Sequence, residues 1–177
     1  MLEAAVETSI SFAGQTTFSK HDLEYLASSR QSEFPRLPQS PMLMIDRITR
    51  IDPAGGQFGR GLIKAELDIH PELWFFKCHF ADDPVMPGSL GVDGLCQVLG
   101  FYLGWQGMQG KGRALSLNNV RYHNPVVPAS SIVTYEVEVI KPFKTTALSG
   151  CVANGRLCVG DLAATTVEKF RVGVQEV

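Results

Sequence analysis

The 177-residue chain has no cysteine pairing pattern, no excess of one charge and no uninterrupted apolar run, and each shortage removes a class of function. Cys78, Cys96, Cys151 and Cys158 form no CxxC pair and keep no zinc-finger spacing with His70, His79 or His123. No metal site is expected from them, and free thiols in a reducing cytoplasm are. A formal net charge of -2 with 19% charged residues exerts no overall pull toward nucleic acid. No basic stretch followed by an apolar core opens the first twenty residues, so no secretory signal is expected. Residues 88 to 105 alone approach the length of a membrane span. Asp93, Gln97 and five glycines interrupt them, which fits a buried helix better than a bilayer. Repeats, low-complexity tracts and linkers are also missing, so residues 1–177 read as a single domain with one core.

What is present divides by period. Residues 1 to 41 form a lead-in: a loose stretch to residue 20, a short helix over 21–30 with Ser19 as cap, and an extended proline-bearing segment from Phe34 to Pro41. Strands are expected over 42–51 and 57–69, separated by a turn at Asp52-Pro53-Ala54-Gly55-Gly56. Residues 71 to 87, rich in aromatics and prolines, fit neither period. A helix follows from Gly88 to Trp105, then strands over 113–123, 131–141, 145–154 and 156–172. Val133, Tyr135, Val137 and Val139 alternate with Thr134, Glu136 and Glu138, the period of a half-buried antiparallel strand. The expected class is α+β, with a sheet covering one long apolar helix.

That helix is apolar around nearly its whole circumference, so it belongs in a core. Its polar exceptions, Asp93 and Gln97, are four residues apart and share a face, where the amide can orient the carboxyl. Desolvation there favours the neutral, proton-donating acid; the plainer alternative is a carboxyl that only accepts backbone hydrogen bonds. Each glycine costs roughly 1 kcal/mol against alanine inside a helix, so a sheet or a ligand must press close to that surface. Gly88 follows Pro87 at the helix start, where free N–H groups could hold a carbonyl oxygen as it gains negative charge, or where Pro-Gly merely turns the chain. His79 lies in the apolar run Trp74-Phe75-Phe76-Lys77-Cys78-His79-Phe80, which favours a neutral imidazole able to act as a base. A satisfied core histidine is the ordinary alternative. His21, His70 and His123 sit in more polar settings and are given structural or surface roles.

His79-Phe80, then Asp82-Asp83-Pro84-Val85-Met86-Pro87-Gly88, then Asp93 and Gln97, closely resemble the β-hydroxydecanoyl-acyl-carrier-protein dehydratase/isomerase family. The likeness extends through Met42-Leu43-Met44-Ile45-Asp46-Arg47, Ala65-Glu66-Leu67-Asp68-Ile69, Gly100-Phe101-Tyr102-Leu103-Gly104-Trp105 and Gly110-Lys111-Gly112-Arg113-Ala114-Leu115. The resemblance implies a hotdog fold, a long helix wrapped by an antiparallel sheet, in a homodimer with shared active sites and no cofactor. It implies that His79 removes a C2 proton from a 3-hydroxyacyl thioester carried by acyl carrier protein, while Asp93 of the partner subunit protonates the departing hydroxyl. Gly88 would hold the thioester oxygen, Gln97 would orient Asp93, and Val85 and Phe80 would bind substrate. An aspartate at 93, where dehydratases without isomerase activity usually carry Glu, implies a second step that moves the double bond from trans-2 to cis-3. The chain departs from the family over Ser28-Ser29-Arg30-Gln31-Ser32-Glu33-Phe34, where a Gly-Arg-Gly-Glu-Leu-Phe-Gly run is common, and at Ser89, where Cys is frequent. Lys141, Lys144, Lys169 and Arg171 are the basic residues expected to meet an acidic carrier. Two other readings stand beside this one: a hotdog thioesterase with Asp93 as base or nucleophile, and a non-catalytic acyl-binding subunit of a polyketide or polyunsaturated-lipid system.

Overall fold

The computed structural model describes residues 14–29 and 36–175. The expectations for residues 1–13, for Arg30 at the end of the first helix and for the start of the extended segment at Phe34 lie outside the described residues. Ser19 caps helix α1 (Lys20–Ser28) as expected: its hydroxyl accepts from the Asp22 N–H, and the Asp22 carboxylate accepts the Ser19 N–H at 2.7 Å. Two orphan donors of the first turn are thereby satisfied.

Six strands follow, β1 (Arg47–Asp52), β2 (Leu62–Asp68), β3 (Lys111–Tyr122), β4 (Ile132–Lys144), β5 (Ser149–Val159) and β6 (Leu162–Gln175), with helix α2 (Gly88–Trp105) between β2 and β3. They form one antiparallel sheet in the order β1-β2-β4-β5-β6-β3. The sheet wraps α2, which packs against β2, β3, β4, β5 and β6. This is the helix-in-sheet arrangement that the α+β reading and the hotdog resemblance implied. Among the described residues no helix is long and apolar enough to cross a membrane.

Magnitudes explain why so glycine-rich a segment is helical. Its five glycines cost about 5 kcal/mol of propensity, at roughly 1 kcal/mol each. Leu90, Val92, Leu95, Cys96, Val98, Leu99, Phe101, Tyr102 and Leu103 are all buried. At about 1.5–3 kcal/mol for each large side chain, burial outweighs propensity severalfold. The glycines are also needed where the sheet presses closest. A Cβ on Gly91 would stand 2.8 Å from Leu157 Cδ1, and one on Gly94 would stand 2.6 Å from the ring and hydroxyl of Tyr135.

Three expected boundaries were misplaced, each for a physical reason. Residues 42–46, read as the start of a strand, precede β1 and run across α2, because the Gln97 side chain takes the Met44 N–H and the Met42 carbonyl. The break expected at Gly155 is not a turn: β5 continues through it, and the hairpin turns at Gly160 (φ 56°) and Asp161. Gly155 serves close packing instead, since a Cβ there would stand 3.0 Å from Leu95 and Phe170. The second expected strand likewise starts later, at Leu62, after a turn region with positive φ at Gly56, Gly59 and Gly61.

The two sheet edges differ. Edge strand β1 has six residues and is covered on its outer side by a bridge from Phe18 to Ile48. Its Arg47 pairs with Glu66 and, through two hydrogen bonds, with Asp68. At the other edge β3 has twelve residues and exposes Leu115 and Leu117. A long edge of that kind is a template for a second chain.

Candidate active site

His79 is set by the backbone around it. Buried Phe75 and Phe76 anchor a 3-10 turn (Trp74–Lys77), and the His79 N–H donates to the Phe75 carbonyl at 2.9 Å. The Val85 N–H closes the loop by donating to the His79 carbonyl at 2.8 Å. His79 Nδ1 faces the Val85 carbonyl oxygen at 3.0 Å. A carbonyl can only accept, so Nδ1 carries the proton, and in the neutral ring Nε2 keeps a lone pair able to take another. The ring is half-buried, less enclosed than its apolar run suggested. Phe80 stacks on it at 4.0 Å between centroids. Phe80 itself is 55% exposed and does not line the cavity that His79 enters, so it touches the imidazole and not the space for a ligand.

That cavity holds about 550 Å³. His79 and Val85 form one wall, and the first turn of α2, from Gly88 to Gly91, forms the floor. Gly88 is the first helical residue, so its N–H has no acceptor in a preceding turn and carries part of the helix's positive end. A side chain at 88 would overlap the Tyr122 ring. The opposite wall comes from residues that the sequence reading did not select: Tyr122 at the end of β3, then His123 and Asn124, with Leu157 of β5 and Thr165 of β6. His123 was expected to be structural or superficial, yet it lines this cavity, its Nε2 2.9 Å from Thr166 Oγ1. Asn124 Nδ2 donates to the Ala163 carbonyl at 2.7 Å. The only sequence signal for these residues was a Tyr-His-Asn-Pro run ending a strand, which marks a turn as readily as a binding wall.

Asp93 and Gln97 share a face of α2 as expected, and that face is not the cavity's. Gln97 Nε2 donates to Asp93 Oδ2 at 2.6 Å and to the Met42 carbonyl at 2.8 Å, while its Oε1 accepts the Met44 N–H at 2.9 Å. Both N–H donors of this amide and one lone pair of its oxygen are therefore engaged, and the carboxyl is held in one orientation. Neither residue lines this cavity. His79 and Asp93 are thus not brought together within one chain.

A family model described as the FabA-like domain matches residues 37–168. The chain belongs to that family. Solved structures agree on the fold. A chain of the dehydratase heterocomplex ApeI:P from Xenorhabdus doucetiae superposes with a TM-score of 0.59 at 13% identity, covering 79% of this chain and 87% of the other. Protein PH1136 from Pyrococcus horikoshii gives 0.52 at 11% identity, with coverage of 78% and 88%. A phenylacetic acid degradation-related protein from Ralstonia eutropha JMP134 gives 0.50 at 12%, with coverage of 72% and 82%. At such identities the likeness speaks for the hotdog architecture alone.

A second cavity of this FabA-like domain, about 630 Å³, opens between the end of α2 and the turn joining β4 to β5, lined in part by Met108, Phe143 and Lys144. It is the larger of the two, and no imidazole or carboxyl is among the residues that line it, whereas His79 and His123 line the other. The basic residues expected to meet a carrier are all exposed. Lys141 pairs in register with Val152 and Val152 with Arg171, so the two cations stand in one row across β5.

Proposed function

We propose that this FabA-like domain is a 3-hydroxyacyl-[acyl-carrier-protein] dehydratase that forms trans-2-enoyl thioesters and then moves the double bond from trans-2 to cis-3, in unsaturated fatty-acid synthesis. The observation that carries the reading is the His79 imidazole, its Nδ1 proton committed to the Val85 carbonyl, beside the open N-terminus of α2 in one cavity. In the dehydration, Nε2 takes the C2 proton, the C2–H electron pair forms the new C2–C3 double bond, and the C3–O bond breaks. The hydroxyl departs as water with a proton from the Asp93 carboxyl of the partner subunit. Charge gathering on the thioester oxygen is met by the Gly88 N–H. Gln97 keeps the acid aimed, and Val85 borders the substrate.

A homodimer is part of this reading. The separation of Asp93 from the cavity of its own chain calls for a second copy to supply the acid, and the edge of β3, unpaired among the described residues and carrying Leu115 and Leu117, offers a surface for one. The row of Lys141 and Arg171 supports docking of an acidic carrier. The test is turnover of 3-hydroxydecanoyl thioester followed by enoyl absorbance and product chromatography. Enoyl product is expected, with His79→Ala losing at least about 100-fold in rate, the lower end of what acid–base groups contribute. Absence of enoyl product overturns the reading; release of free carrier thiol would identify a thioesterase instead, and binding without turnover an acyl-binding subunit. Enoyl product with no cis-3 isomer removes only the isomerase step.

A further inference from the structure

Tyr135 lies mid-way along β4, opposite Ala65 of β2 and Leu157 of β5, on the face that receives α2. It is 1% exposed, and its hydroxyl has no hydrogen-bond partner among the described residues. An unpaired buried hydroxyl costs roughly 1–3 kcal/mol, and phenylalanine would fill the same space without it. The ring and oxygen rest directly on Gly94: a Cβ there would stand 2.6 Å from the hydroxyl oxygen and as close to Cζ and Cε1. An interior helical position is thus kept without a side chain, bringing a lone polar atom against the backbone next to Asp93. Burial pushes the phenol's pKa up, and the charges of Asp93 and Asp46 push in the same direction. On the carboxyl itself, Oδ2 has its Gln97 donor, while Oδ1 has none among the described residues.

We propose that Tyr135 is a positioning residue for Asp93: in the working enzyme its hydroxyl donates a hydrogen bond toward the second carboxyl oxygen and sets the pH at which that group gives up its proton. The kinetic part rests on the reading of Asp93 as the proton donor. Other titratable groups nearby do not confuse the assignment. Burial, then the charge of Asp93, pushes the Cys96 thiol up to about 12. Asp46, which precedes β1, is held by Lys20 Nζ at 2.8 Å and by the Asp68 N–H at 2.9 Å.

Tyr135→Phe removes one oxygen and no packing. A donor to a carboxylate favours its charged form, so losing that donor keeps the acid protonated to higher pH. The alkaline limb of the kcat profile should therefore move upward by roughly one unit, with kcat at neutral pH changed by up to roughly tenfold and KM within about twofold. The second measurement needs no turnover: an infrared titration of the carboxyl band that Asp93→Asn abolishes, which should shift upward in Tyr135→Phe. If the wild type forms no enoyl product, the functional reading falls while the infrared titration still decides the link between the two side chains. A Tyr135→Phe protein that melts higher, with both the kcat limb and the carboxyl band unmoved, would show a merely orphaned hydroxyl and overturn the inference.

Discussion

Gln97→Leu tests the joint between the crossing segment and the acid. Leucine nearly matches glutamine in volume, so the substitution removes hydrogen bonds without opening a cavity. The Met44 N–H, in a residue 2% exposed, loses its side-chain acceptor, at a cost of roughly 1–3 kcal/mol for a buried unsatisfied donor. The Met42 carbonyl belongs to a residue 40% exposed and can be rehydrated, so its loss adds at most about 1 kcal/mol. The bond to half-buried Asp93 adds about another, and relief from burying the amide offsets part of the sum. The net expectation is a loss of about 3 kcal/mol, a shift of roughly 150-fold in the folding equilibrium. For a chain of this size that lowers the melting temperature by about 6–12 °C. Urea unfolding gives the free energy, and hydrogen exchange at the Met44 amide reports the local opening. A loss under about 1 kcal/mol with Met44 still protected would refute the claim that this one amide clamps the crossing.

Two further outcomes are expected. Gly94→Ala should destabilise by about 1–3 kcal/mol, because the Tyr135 ring cannot yield without disturbing β4, whereas Gly100→Ala, whose Cβ would meet nothing nearer than 3.9 Å, should stabilise by about 0.5–1 kcal/mol; equal effects in thermal melts would contradict the packing described. Exposed Cys78 should be labelled rapidly by a thiol reagent at neutral pH. Burial pushes the Cys96 thiol up to about 12 and the Cys151 thiol up to about 11, so both should react only after unfolding; mass spectrometry of partly labelled protein counts the modified sites.

The parts of the fold that were legible were those where one residue type has one physical use. Proline followed by glycine at 87–88 and a dense apolar run marked the start of α2, and strict alternation from Val133 to Val139 marked β4. Gly155 was misread because glycine serves both turns and tight contacts, and only the neighbouring Leu95 and Phe170 decide which. Residues 42–46 look like strand because their partner, Gln97, lies more than fifty positions away. His79 and the pair of Asp93 and Gln97 stood out as polar groups among apolar ones. Tyr122, His123 and Asn124 did not, since their place on the cavity wall depends on how β3 ends beside the start of α2.

The glycine content of α2 also bears on the order in which the chain folds. A helix opposed by its own backbone preferences cannot nucleate in isolation. Its apolar surface is covered in part by β2, which precedes it, but mostly by strands that follow it, with β4, β5 and β6 arriving from residue 132 onward. The central element is therefore one whose consolidation waits for the sheet around it, and a growing chain must shield that sticky segment until the last three strands have emerged.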